Sequence, residues 1–164
     1  MPNVSTHTCS KIVTLAALVM LTALSRGTFL TAQQPSPGVT AQDLLNGLTD
    51  PTRWLTFSGD YSGRRHSPLT EIRPENVSRL VPRWTFQTDT PGHFETTALV
   101  LDGVLYATGP NDYAWALDAR TGRQIWRYRR ELPSSVIVCC GRVNRGFGIL
   151  GDRLFLATLD AHLL

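Results

Sequence analysis

Apolar positions along this chain change their pattern three times, and each change predicts a different kind of structure. From Ile12 to Leu24 they are almost continuous, a run of signal-peptide length that is short for a membrane span. After a Pro- and Gly-containing stretch, Thr40 stands where it can cap a short helix from about Ala41 to Leu48, which Asp50-Pro51 then stops. Residues 54–80 hold few apolar positions among turn formers (Ser58-Gly59-Asp60, Ser62-Gly63, Ser67-Pro68). They read as an irregular arm with a helical turn near Pro74 to Arg79. From Leu80 onward the pattern is that of short strands. Arg83 to Thr88 alternates, with Trp84 and Phe86 on one face. Thr97 to Leu101 and Val104 to Thr108 flank Asp102-Gly103, a strong hairpin signal. Tyr113 to Leu117 and Gln124 to Arg129 flank a second turn at Asp118 to Gly122. Val136 to Cys140 and Arg153 to Thr158 complete the set.

Short, regularly spaced strands fit an all-β sandwich, barrel or propeller. An internal repeat favours the propeller. Leu105-Tyr106-Ala107 aligns with Leu154-Phe155-Leu156 at an offset of 49 residues, and the register runs without gaps until Trp115 meets Leu164. Trp84 and Trp126 lie 42 apart. A period in this range with about four strands per unit marks propeller blades.

Composition adds limits. The 164 residues are 42% hydrophobic and 18% charged, ordinary globular values with room for one domain. The net charge of +3 owes two units to Lys11 and Arg26 in the apolar leader, leaving 14 basic against 13 acidic side chains beyond it. The basic residues lack the density and interleaved aromatics of a nucleic-acid groove. Residues 1–32 are expected to be a signal peptide cut after Leu30-Thr31-Ala32, with an uncleaved anchor as the alternative; export is the consequence. Once the leader is removed, no stable membrane span is expected.

Cys9 lies in that leader, so the mature chain keeps only Cys139 and Cys140. Adjacent Cα atoms are about 3.8 Å apart, below the roughly 4.4–6.8 Å that ordinary disulfides span. A bridge between them would close a tight eight-membered ring and twist the peptide, a strain that tends to persist at functional sites. Two reduced thiols packed as small hydrophobes are the other reading.

Ala116-Leu117-Asp118-Ala119-Arg120-Thr121-Gly122-Arg123-Gln124-Ile125-Trp126 resembles the tryptophan-docking motif of quinoprotein propellers, Ala-x-Asp-x-x-Thr-Gly-Lys-x-x-Trp, departing only at Arg123. Trp54 to Asp60 with Arg65 to Leu69, Phe94-Glu95-Thr96-Thr97, Cys139-Cys140-Gly141 and Asn144-Arg145-Gly146 are similar to segments of the alcohol dehydrogenases that use pyrroloquinoline quinone (PQQ), of the methanol/ethanol dehydrogenase type. The resemblance covers about residues 41–164. It implies an eight-bladed propeller of which this chain holds about two blades, and a Cys139–Cys140 disulfide ring lying against the cofactor. It also implies Glu95 as a hydrogen-bond partner of PQQ, and Arg145 at the reactive quinone edge. A guanidinium suits oxygens that gain charge on reduction. His66 takes no role in this match, His93 and His162 read as structural, and no cofactor role is carried over to Thr158.

The aspartate base and the calcium ligands of that family match nothing here, so no catalytic or metal residue is assigned. The resulting expectation is a signal peptide (1–32), a linker and short helix (33–53), and the N-terminal blades of a PQQ-binding propeller (54–164) ending within a blade. The chain would be the inactive N-terminal part of a periplasmic or secreted, PQQ- and calcium- (or lanthanide-) dependent enzyme. That enzyme would oxidise a primary alcohol and pass electrons to a cytochrome c-type acceptor. The rival is a non-enzymatic propeller of the same repeat that serves as a binding or assembly scaffold.

Overall fold

The computed structural model describes residues 38–164. The expected signal peptide, Cys9 and most of the linker lie outside the described residues. Among those described, no helix is long and apolar enough to cross a membrane.

The helix α1 spans Ala41–Leu45, shorter than the sequence implies. Thr40 caps it reciprocally: the Thr40 hydroxyl accepts from the Asp43 amide (3.1 Å) and the Asp43 carboxylate accepts from the Thr40 amide (2.8 Å). Turns replace its last residues: the Asn46 amide closes the helix on the Gln42 carbonyl as its C-cap, and the Thr49 amide then bonds to the Asn46 carbonyl in a turn ahead of Pro51. The helical turn expected near Arg79 is a 3₁₀ turn at Val77–Arg79.

Four strands form an antiparallel meander: β1 Leu99–Leu101, β2 Val104–Thr108, β3 Ala114–Asp118 and β4 Gln124–Tyr128, neighbours in that order. Asp102 and Gly103, at φ 50° and 76°, make the tight β1–β2 turn. A 3₁₀ turn at Pro110–Asp112 joins β2 to β3. In the third turn the Asp118 carboxylate accepts from the amides of Arg120 and Thr121, both at 3.0 Å. Gly122 sits there at φ 72°, and a Cβ on it would lie 2.5 Å from the Trp84 ring, so only glycine fits both the backbone and the packing. Trp84 closes the contact by donating from its indole N–H to the Ala119 carbonyl (3.1 Å).

β5 Gly148–Leu150 and β6 Arg153–Phe155 form a second hairpin. Its pairing register repeats that of the first. Leu99 pairs with Tyr106, and Gly148 with Phe155, each 49 positions on. The Gly109 amide donates to the Tyr113 carbonyl (2.8 Å) as the Thr158 amide does to His162 (2.9 Å). Thr108 pairs with Ala114, and Ala157 with Leu163. The periodicity seen in the sequence is therefore a structural repeat.

Two expected strands are not formed. Arg83 to Thr88 runs without a ladder, although its alternation is real in the side chains: Trp84 lies on the Gly122 turn and Phe86 meets Trp115 edge-on at 6.3 Å. Val136 to Cys140 is also irregular. The Arg142 guanidinium takes the carbonyls of Pro133, Ser134 and Val136 (3.2, 3.4 and 3.2 Å), so this backbone is bonded to a side chain instead of a neighbouring strand.

One core cluster joins Val39, Leu55, Leu99 and Ile149, which come from the N-terminal arm and both hairpins. Ala114, Trp115, Ala116 and Leu117 are also buried, so β3 is the most enclosed strand. The arm is stitched to the sheets at two points. Trp54 bridges to Val100 with two bonds of 2.9 Å, and Val39 bridges to Gly151.

Candidate functional site

The four residues singled out by the sequence come from two loops that the sheet brings together. Glu95 lies in the segment entering β1. Cys139, Cys140 and Arg145 lie in the long connection from β4 to β5. The segments touch through the Thr97 amide, which donates to the Arg145 carbonyl (3.3 Å). Gly146 makes the approach possible, since a Cβ there would lie 2.9 Å from the Thr97 carbonyl oxygen. Arg145 and Glu95 form an ion pair at 3.0 Å whose side chains are 68% and 40% exposed.

Both cysteines are exposed free thiols. The disulfide ring implied by the resemblance is not formed in this structure, and neither is a buried apolar pair. Closing the ring needs an oxidant and a twisted peptide, because neighbouring Cα atoms stand closer than ordinary bridges allow. The backbone bends here, with Cys140 at φ 65° and Gly141 at φ 88°. The Cys140 thiol is pushed up from its ordinary value, chiefly by its hydrogen bond and charge interaction with Cys139. Burial and the Glu95 carboxylate act in the same direction, and the Arg145 guanidinium pulls the other way. Cys140 thus feels each of the other three residues electrostatically.

Beneath them lies a buried polar set that the sequence analysis did not single out. Thr108, fully buried at the end of β2, donates from its hydroxyl to the Asn144 carbonyl (3.4 Å), and its amide donates to the Thr96 hydroxyl (3.2 Å). It therefore ties together the loops that carry Glu95 and Arg145. Asp112, also fully buried, accepts from the Asn144 side-chain amide (2.8 Å) and from the Leu159 amide (2.7 Å). In the sequence Asp112 looks like a turn former within Gly-Pro-Asn-Asp-Tyr, and Thr108 like the last residue of a strand. Only the chemistry of the neighbouring Asn144-Arg145 pair hinted at a role nearby. A cleft of about 400 Å³ between Leu44, Leu55, Phe57, Phe147 and Ile149 lies apart from the four site residues, none of which lines it. His162 is exposed, with its Nδ1 2.9 Å from the Asp160 carbonyl oxygen.

The meander, its repeat and the aspartate-held turn define this chain as part of a β-propeller. Residues 54–164 match the family model described as glucose/ethanol/alcohol dehydrogenase, beta-propeller domain. The chain belongs to that family. It is 40% identical over 128 residues to 1-butanol dehydrogenase (quinone) of Thauera butanivorans, a match covering 77% of this chain and 20% of that protein. It is 37% identical to a quinoprotein ethanol dehydrogenase of Pseudomonas putida, with the same coverages. Among solved structures, a quinohemoprotein alcohol dehydrogenase of Pseudomonas putida HK5 superposes with TM-score 0.71 at 34% identity, covering 77% of this chain and 19% of that one. A europium-containing methanol dehydrogenase superposes with TM-score 0.66 at 28% identity, covering 71% and 21%. The chain spans about a fifth of the length of the curated relatives it matches.

Proposed function

We propose that this chain supplies the first blades of an exported, quinone-dependent alcohol dehydrogenase, and that Glu95, Cys139, Cys140 and Arg145 form one part of its PQQ site. The observation that carries the reading is their convergence from two loops onto one accessible surface. The donor set suits the group. PQQ is a planar, polyacidic o-quinone. Here stand a planar guanidinium for its oxygens, a carboxylate acceptor, and two exposed sulfur atoms able to lie against a ring. When bound, PQQ supplies the acceptor for a hydride from an alcohol.

Each residue has a part in this. Arg145 places permanent positive charge where negative charge would develop on reduction. Glu95 would accept a hydrogen bond from the cofactor, and its ion pair with Arg145 orients the guanidinium. Cys139 and Cys140, bridged after export to an oxidising compartment, would present a rigid face. The metal, calcium or a lanthanide, and the base that takes the alcohol proton are assigned to the longer protein, as is the site for a cytochrome c-type acceptor. The domain limits follow the same reading, with a cleaved leader at 1–32, a linker and helix at 33–53, and blades from residue 54.

The test is to express the full open reading frame and load it with PQQ and Ca²⁺ or a lanthanide. Dye-linked oxidation of primary alcohols is then assayed. Activity that needs both additions supports the reading, whereas a protein that neither takes up PQQ nor oxidises any primary alcohol refutes it.

A further inference from the structure

We infer that Asp112 is a positioning residue for this face: its buried carboxylate clamps Asn144 and so holds Arg145 against Glu95 and the cysteine pair. The cofactor side of this inference rests on the PQQ reading above; the geometry stands by itself.

Asp112 is fully buried, yet its partners, an amide side chain and a backbone N–H, are uncharged. Burying a carboxylate in such company is costly. The turn does not require it. In the turn after β6 the equivalent left-handed position, 49 residues on, is Ala161 at φ 63°, against φ 57° at Asp112. Alanine thus suffices for the backbone, and the carboxylate at 112 needs another explanation.

Asn144 provides it. Its amide nitrogen donates to Asp112 (2.8 Å) and to the Ala157 carbonyl (3.0 Å), and its amide oxygen accepts from the Gly146 N–H (3.1 Å). The side chain of residue 144 therefore spans Arg145 and bonds to the backbone on its far side. With the Thr97 bond to the Arg145 carbonyl, this fixes the backbone from which the guanidinium reaches Glu95. The second Asp112 oxygen holds the Leu159 amide, so one buried group locks the loop to the turn after β6 as well.

Asp112→Asn keeps the size but replaces an acceptor with an N–H₂ donor, so one of the two N–H partners loses its acceptor. The experiment compares the protein from the full open reading frame as wild type, Asp112→Asn, and the exposed charge control Asp152→Asn. Three readouts are taken: amide hydrogen exchange and the pH profile of Cys140 alkylation on the reduced protein, and PQQ uptake by equilibrium dialysis on the oxidised protein. In Asp112→Asn, exchange at Gly146 should accelerate by at least about tenfold while β2 and β3 keep their protection. The alkylation midpoint should rise, because Arg145 is the group that draws the Cys140 thiol down. Arg145→Gln should raise it equally, and adding Asp112→Asn to that variant should change it no further. Asp152→Asn should move neither readout.

If Asp112→Asn does not fold, Asn144→Ala cuts the same clamp from the other side, and the same loosening is expected. A folded variant of either kind with unchanged Gly146 exchange and alkylation midpoint overturns the inference. If wild type takes up no PQQ while Asp112→Asn loosens the loop, the cofactor reading falls and Asp112 keeps its role as the positioner of Arg145.

Discussion

At the scale of single residues, the site is an arrangement of charges around two sulfur atoms. Glu95 and Arg145 sit 3.0 Å apart and act in opposite directions on Cys140, the carboxylate raising its pKa and the guanidinium lowering it. Removing one of them should therefore expose the effect of the other. Glu95→Gln is expected to lower the pH midpoint of Cys140 alkylation and speed labelling near neutrality, as measured by iodoacetamide trapping and mass spectrometry; an unchanged or raised midpoint would refute the geometry. These residue types were readable in the sequence because each carries chemistry in a short motif. Asp112 and Thr108 were not marked in that way, and Asn144 only as the neighbour of Arg145 in its motif. Their importance comes from burial and from bonds across 32 to 47 positions, which a linear pattern does not show.

Among the elements, the turn from Asp118 to Gly122 carries much of the specification. Gly122→Ala would force a side chain into the left-handed region and against the Trp84 ring, where the Cβ would stand 2.5 Å away. A loss of about 2–4 kcal/mol is expected from strain and overpacking together, measurable by urea denaturation; a loss within error would mean that Trp84 does not dock there. The hairpins were legible because Asp102-Gly103 and Asp118 to Gly122 are local turn chemistry. The strands at Arg83 to Thr88 and Val136 to Cys140 were misread for a related reason. Alternation reports which face a side chain takes, but a strand also needs a partner for its backbone. Trp84 and Phe86 find packing without a ladder, and Arg142 occupies the carbonyls of residues 133, 134 and 136. Two residues beyond β4, Arg130 reaches Asp160 in the turn after β6 with bonds of 3.0 and 2.6 Å. That pairing, followed by the Thr158 hydroxyl, holds Asp160 far below the usual carboxylate range. A depressed folded pKa stabilises the fold above the unfolded value, about 3.9, and this contribution is lost as pH falls toward the folded one. Asp160→Asn should accordingly lower the Tm at neutral pH and converge with wild type only in strong acid. A constant gap down to pH 2 would contradict this.

Over the whole molecule, the 49-residue repeat determines what the chain can be. The second hairpin reproduces the pairing of the first, and Trp126 reaches toward it through Phe147 at 6.4 Å, edge to face. Leu154, Leu156 and Leu164 complete an apolar cleft with those rings, as expected of neighbouring blades that bury their faces against each other. The sequence carried this level well, because a repeat is visible without any knowledge of contacts. It gave no sign of the arm's two stitches, Trp54 to Val100 and Val39 to Gly151, because single bridges leave no periodic trace. The face built by Glu95, Cys139, Cys140 and Arg145 is the proposed quinone site. Its most direct test is equilibrium dialysis of PQQ against the protein from the full open reading frame, comparing wild type with Arg145→Gln and Cys139→Ser/Cys140→Ser. Saturable uptake by wild type, weakened at least about tenfold in each variant, is the predicted result. No uptake, or uptake that neither variant weakens, would contradict it.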